Sequence, residues 1–123
     1  MNIVGGIAVA TTGSALSFSG FGFRPTSLKF TVGAKSGSAA VNQLSLGWVD
    51  STSYQGASSN YSDSTGHESK FFNTKCLYVR ERVAGTMTTV IEATFHSFTN
   101  DGFKLNVTTA NSNYDVWVEA SDI

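Results

Sequence analysis

Apolar and polar residues alternate with a period of two in short segments along most of the chain, the pattern of strands that lay one face on a core. Leu28, Phe30 and Val32 alternate with Lys29 and Thr31, and Leu44, Leu46 and Trp48 follow the same rule. Leu77 and Val79 oppose Tyr78, Arg80 and Arg82, while Ile91, Ala93 and Phe95 oppose Val90, Glu92 and Thr94. Phe103, Leu105 and Val107 continue the series, and Tyr114, Val116 and Val118 close it. With Ile3–Ala10 and Leu16–Phe18 added, the pattern predicts about eight strands, each with its alternating apolar set turned inward. No long stretch carries a 3.6-residue apolar stripe, and β-branched and aromatic residues dominate the periodic segments, so no helix of any length is expected.

Short strands separated by Gly, Ser and Asn predict an all-β, two-sheet antiparallel sandwich of jelly-roll-like connectivity, with a closed barrel as the alternative. The sharpest turn signal is Thr99-Asn100-Asp101-Gly102, where Asp-Gly suits the positive φ angles of a tight hairpin. Asn111-Ser112-Asn113 reads as a second hairpin turn. Between Asp50 and Thr74 the alternation fails, and Ser, Thr, Asn and Gly are mixed with Tyr54, Tyr61, Phe71 and Phe72. This stretch is expected to be a long loop. It is either an adaptable binding loop or a solvated excursion whose aromatics cap one end of the sandwich.

The chain has 123 residues, which suits one domain spanning 1–123 around one core. Hydrophobic residues make up 41% and charged residues 14%, a balance that places the chain among folded rather than disordered sequences. Eight basic and nine acidic residues are dispersed, with no run that would draw phosphate or anionic lipid, so neither nucleic acid nor a membrane is expected as a partner. The single Cys76 rules out an internal disulfide and reads as a core thiol in a strand rather than a nucleophile. Met1–Ala10 has no basic residues ahead of its apolar stretch, so no signal peptide is expected. Asn60-Tyr61-Ser62 and Asn106-Val107-Thr108 then match glycosylation acceptors only by chance.

No catalytic constellation stands out. His67 and His96 are isolated from any second ligand at metal-site spacing, and Asp63, His67 and Glu68 lack the periodicity of a calcium loop. No Gly-x-Ser-x-Gly turn marks a nucleophile, and the acids are spread along the chain. Gly5-Gly6 and Gly20-Phe21-Gly22 precede no helix that would make them phosphate cradles. The expectation is a non-catalytic protein with no cofactor and no metal.

At Gly20-Phe21-Gly22-Phe23-Arg24-Pro25, followed by Ser27–Val32, the chain resembles a family of small bacteriophage and prophage virion proteins. The resemblance continues through Leu44-Ser45-Leu46-Gly47-Trp48-Val49-Asp50 and through Lys75-Cys76-Leu77-Tyr78 before Ala84-Gly85. It ends at Ser97-Phe98-Thr99-Asn100-Asp101-Gly102-Phe103-Lys104-Leu105-Asn106. Arg24 departs from the family's usual polar residue there, as does the Ser- and Tyr-rich stretch from Asp50 to Thr74. The resemblance implies a β-sandwich of a tail fibre, tail tip or capsid surface, made in the host cytoplasm and carried in the virion. It also implies a homo-oligomer, with a trimer favoured, that contacts other virion proteins. Trp117 or Tyr78 would be natural subunit contacts. The alternative is an autonomous carbohydrate-binding module, which also allows a virion domain that touches a cell-surface glycan. In that reading Trp48, Tyr54 or Tyr61 stacks on sugar faces, while Asp50, Asn60, Asp63 and His67 take hydroxyl hydrogen bonds.

Overall fold

A computed structural model describes residues 1–35 and 41–123. The described residues form ten strands and no helix: β1 Asn2–Ile7, β2 Gly13–Phe18, β3 Ser27–Val32, β4 Asn42–Val49, β5 Gln55–Ser62, β6 His67–Phe72, β7 Leu77–Val83, β8 Thr86–Thr99, β9 Gly102–Thr109 and β10 Val116–Ser121. They build two antiparallel sheets, one ordered β1-β10-β3-β4-β5-β6 and the other β2-β9-β8-β7. The sandwich read from the periodicity is the architecture. Its outer winding is of jelly-roll kind, since β1 and β2 lie in different sheets, as do β9 and β10. Beyond that winding β3–β6 and β7–β9 run as simple meanders.

The core lies where the alternation predicts it for most strands. Leu28, Phe30 and Val32 of β3 and Val116, Val118 and Ala120 of β10 face Leu77, Val79, Ile91, Phe103, Leu105 and Val107 of the other sheet, all buried. Cys76 is fully buried among them, as a core thiol should be. Asn111-Ser112-Asn113 is a turn but not a hairpin, because β9 and β10 belong to different sheets.

Three further expectations are corrected. The stretch from Asp50 to Thr74 is not a loop but the hairpin β5–β6, with one tight turn leading into β5 and another joining β5 to β6. Asp50 Oδ1 accepts from the backbone N–H groups of Thr52 and Tyr54 at 2.9 and 3.0 Å, and Asp63 Oδ1 accepts from those of Thr65 and Gly66 at 2.8 and 3.1 Å. The alternation was invisible in β5 because its inward residues are Ala57, Ser59 and Tyr61, two of them small.

The second correction concerns β4, whose facing is inverted. Ser45, Gly47 and Val49 point inward and are buried, while Leu44, Leu46 and Trp48 point to solvent. The cause is steric. The chain entering β7 passes so close beneath β4 that a Cβ at Gly47 would lie 1.8 Å from the Cys76 carbonyl oxygen. Only small residues fit on that side, and the neighbouring inward pair, Ser45 and Ser59, is also small and buried.

The third concerns Tyr78, which is buried rather than presented to a partner. The β5–β6 hairpin curls over the edge of β7 and closes it with three rungs. Phe72 meets Tyr78 edge-on at 4.6 Å, Glu68 grips Arg80 with two hydrogen bonds of 2.7 and 3.2 Å, and Asp63 takes Arg82 Nε at 2.9 Å. An aromatic contact and two ion pairs thus cover a strand edge that would otherwise present unpaired backbone groups.

Candidate functional site

Because β4 is inverted, the outer face of the six-stranded sheet carries large apolar side chains. The register sets Trp117 beside Thr31, Thr31 beside Leu46, Leu46 beside Ser58 and Ser58 beside Phe71, all facing solvent. Trp48 is 38% exposed, Phe71 62% and Trp117 54%. Trp48 leans across to β5, where its six-membered ring fills the space that a Cβ on Gly56 would need, within 2.1 Å of that position. Gly56 is its register partner, so the indole covers bare backbone and is held in one place. Leaning that way brings it to Phe71, with ring centroids 5.9 Å apart and planes within 28°. The two ring planes are therefore near-parallel on the outer face of the sheet.

Two shallow depressions flank β4 on this face. One, of about 300 Å³, lies between β3 and β4 and is lined by Lys29, Thr31, Leu46 and Trp48. The other, of about 270 Å³, lies at the opposite end of β4 and is lined by Asn42, Leu44, Asn60, Ser62 and His67. Beside the second runs a chain of polar side chains. Ser69 Oγ donates to Asn60 Oδ1 and lies 3.1 Å from His67 Nε2. With its hydrogen committed to Asn60, the Ser69 oxygen accepts from His67 Nε2–H. His67 Nδ1 and the Asn60 amide nitrogen have no hydrogen-bond partner among the described residues.

Of the residues singled out from sequence, Trp48, Asn60 and His67 reach this face. Tyr61 does not: it faces inward and is buried. Asp50 and Asp63 cap the turns at opposite ends of β5, so they cannot converge on one ligand. Tyr54 stands in solvent at the turn beyond Trp48, 75% exposed. Asp63 and Glu68 are taken up by Arg82 and Arg80 on the side away from His67. Among the described residues no group of three or more His, Cys, Asp or Glu is placed to hold a metal.

The chain matches no family model, no curated protein and no solved structure.

Phe71, Ser69, Leu44 and Leu46 were missed as site residues. The available signal was the set of small residues Ser45, Gly47, Ala57 and Ser59, which marks a place where two backbones come close and the large side chains must turn outward.

Several titratable groups outside this face serve the fold. Burial pushes the Cys76 thiol up to about 12, so it stays protonated and unreactive. Asp101 accepts from the backbone N–H of Gly20 at 2.9 Å and of Gly22 at 2.6 Å, and its own carbonyl accepts from Phe21 N–H at 3.1 Å. Gly20 and Gly22 both have positive φ, which turns successive N–H groups towards one acceptor. The hydrogen bonds from Gly20 and Gly22 hold the Asp101 carboxyl below its ordinary value of 3.8. Arg80 does the same for Glu68, whose ordinary value is 4.5, and the Thr52 hydroxyl for Asp50.

These depressed carboxyls set an acid dependence. Each binds protons more readily in the unfolded chain, so its contribution is complete above about pH 4.5 and is lost as pH falls through the lowered folded value. The melting temperature is expected to hold between about pH 5 and pH 7 and to drop steeply below about pH 4. Asp101→Asn is expected to lower it at neutral pH and to flatten that acid drop. An unchanged slope in this variant would mean that the clamp on the Gly20–Gly22 segment contributes nothing.

Proposed function

We propose that this chain is a non-catalytic structural and interaction domain of a phage particle, of the tail-fibre, tail-tip or capsid-surface kind. It acts through the outer face of its six-stranded sheet. The β1–β10 side of that face meets further copies of the chain, and the β4–β6 side meets the target. The observation that carries this reading is the concentration of exposed aromatic side chains on one sheet face, while Asp63, Glu68 and the Cys76 thiol are engaged in the fold. The sequence resemblance to small virion proteins supports the setting.

The self-contact is assigned to β1–β10 for a second reason. β1 pairs only with β10 among the described residues, which leaves its other edge open. The segment Asn2-Ile3-Val4-Gly5-Gly6-Ile7 has no charge and no Pro, the usual protections of a free edge. Val4 within it and Trp117 beside it stand exposed, and a net charge of −1 offers little repulsion between copies.

Light scattering across a hundredfold dilution tests this. A closed oligomer, a trimer for preference, is expected, and Trp117→Thr or Val4→Lys is expected to reduce it to monomer without unfolding it. A wild-type monomer at every concentration would overturn the assembly reading.

A further inference from the structure

We infer that the β4–β6 side of the outer face is a binding site for a neutral oligosaccharide, seated on Trp48 and Phe71 and oriented by Asn60, Ser69 and His67. The inference rests on the reading that this side faces the target. It names what the target presents.

Three features of the face select this ligand. The first is the aromatic pair. Trp48 and Phe71 lie near-parallel at 5.9 Å, and Trp48 is braced against Gly56, so the two rings are already ordered before anything binds. A rigid aromatic platform loses little side-chain freedom on binding and suits the apolar C–H faces of pyranose rings. The second is the polar chain. The Asn60 amide nitrogen and the second ring nitrogen of His67, neither hydrogen-bonded among the described residues, stand at its two ends, linked through Ser69. A sugar hydroxyl both donates and accepts, so it can use either end, and the linked side chains hold one another in place. Along β6, Phe71 and His67 are four residues apart, about 13 Å at strand spacing, a length that a short extended oligosaccharide covers.

The third feature is charge. The outward positions of β4, β5 and β6 carry no Lys, Arg, Asp or Glu; Glu68 and Lys70 occupy the alternate positions of β6, on its other face, where Lys70 is exposed to solvent. Lys29 on β3 borders the depression beside Trp48 but stands apart from the polar chain. A sialylated or sulfated glycan finds no cationic partner at the Asn60–His67 end. A protein partner fits less well, because a stable protein interface wants a continuous apolar centre. Here Leu44 and Leu46 lie beside Asn60 and Ser58 instead. Leu44 lines one depression and Leu46 and Trp48 line the other, so the two follow one another along β4.

The test is a glycan array that includes neutral, sialylated and sulfated oligosaccharides, followed by titration calorimetry with the best neutral hit. Four variants are compared with wild type, each checked for folding: Trp48→Ala, Phe71→Ala, Asn60→Ala and His67→Ala. Binding to neutral glycans is expected, weakened about tenfold by loss of either aromatic residue and several-fold by loss of Asn60 or His67. Trp117→Thr should leave the affinity of each single site unchanged while removing avidity on the array. Silence of the folded wild type across the array overturns the inference, as does binding restricted to acidic glycans or binding indifferent to Trp48→Ala. The two readings fail separately. A monomeric wild type that binds neutral glycans removes the assembly reading alone. A Trp48→Ala variant that dissociates an array-silent oligomer places this face in a subunit contact and removes the glycan site alone.

Discussion

Gly47→Ala is expected to destabilise the protein by about 3 kcal/mol or more, although alanine ordinarily serves a strand better than glycine by roughly half to one kcal/mol. The added methyl would sit 1.8 Å from the Cys76 carbonyl oxygen and 2.9 Å from its carbonyl carbon, and Phe30 closes a third side at 3.4 Å. The obstacle is backbone, so it cannot swing away as a side chain would. Cys76 N–H donates to the Ala93 carbonyl at 3.1 Å, which ties that peptide to β8. Making room therefore means separating β4 from the start of β7 and opening the core between Phe30 and Leu77, both buried. For a chain of this length the loss corresponds to a fall in melting temperature of roughly 10 °C or more. Gly56→Ala is the natural comparison. Its methyl would meet the Trp48 ring at 2.1 Å, and that ring is the free end of a side chain on the surface. Its cost is expected to be about 1 kcal/mol or less, with Trp48 displaced from its seat. Chemical denaturation of both variants checks the pair. A Gly47→Ala protein within about 1 kcal/mol of wild type would mean that β4 and β7 are not in close contact.

The same close approach decides how much of the molecule was legible. Period two located β3, β7, β9 and β10 with the correct face inward, because each meets side chains across the core and fills the space with Leu, Phe and Val. β4 alternates just as regularly and was read backwards. Its periodicity is genuine, but which face is covered depends on what lies beneath, and beneath β4 lies the backbone at Cys76 rather than a side chain. β5 was lost for the same reason, since Ala57 and Ser59 leave no apolar alternation to see. The consequence reaches the candidate site. Asn60 and His67 stand out as amide and imidazole groups in a polar stretch, whereas Trp48 is a stacking candidate that the alternation also turns inward with Leu44 and Leu46. Leu44 and Leu46 were assigned to the core, and Tyr61 to the surface, because the facing was wrong or unseen. Gly20-Phe21-Gly22 and Asp101-Gly102 were each noticed, but not as one object. Only the fold brings Asp101 to the amides of Gly20 and Gly22, across about 80 residues of chain. Gly102 was placed in the right turn for the wrong reason. Neither it nor Asp101 has positive φ; glycine is needed because a Cβ there would lie 2.0 Å from the Phe18 carbonyl oxygen.

That junction makes Phe103 the side chain whose loss should cost most. Phe103→Ala is expected to destabilise the protein by about 4 kcal/mol, a large share of the roughly 5–15 kcal/mol that holds a domain folded. Phe103 is fully buried and touches three other rings: Phe18 stacked at 5.3 Å, Phe21 tilted at 5.5 Å and Phe30 edge-on at 5.8 Å. These come from β2, from the segment clamped by Asp101 and from β3 in the opposite sheet, so one ring joins both sheets to the connection between them. Its neighbours cannot collapse into the vacancy. Phe18 is tied to Phe103 by the β2–β9 register, Phe30 sits in a central strand beside Gly47, and Phe21 is held by its hydrogen bond to the Asp101 carbonyl. A cavity that stays open costs more than one that relaxes, which places this substitution towards the upper part of the usual range. Phe103→Leu, which retains most of the volume, is expected to lose only about 1–2 kcal/mol. Because the Gly20–Gly22 segment rests on this ring, Phe103→Ala should also expose it to limited proteolysis before the rest of the chain. Denaturant unfolding measures the first effect and protease digestion below the midpoint the second. A loss under about 2 kcal/mol, with Gly20–Gly22 still protected, would mean that the sheets hold together without this ring.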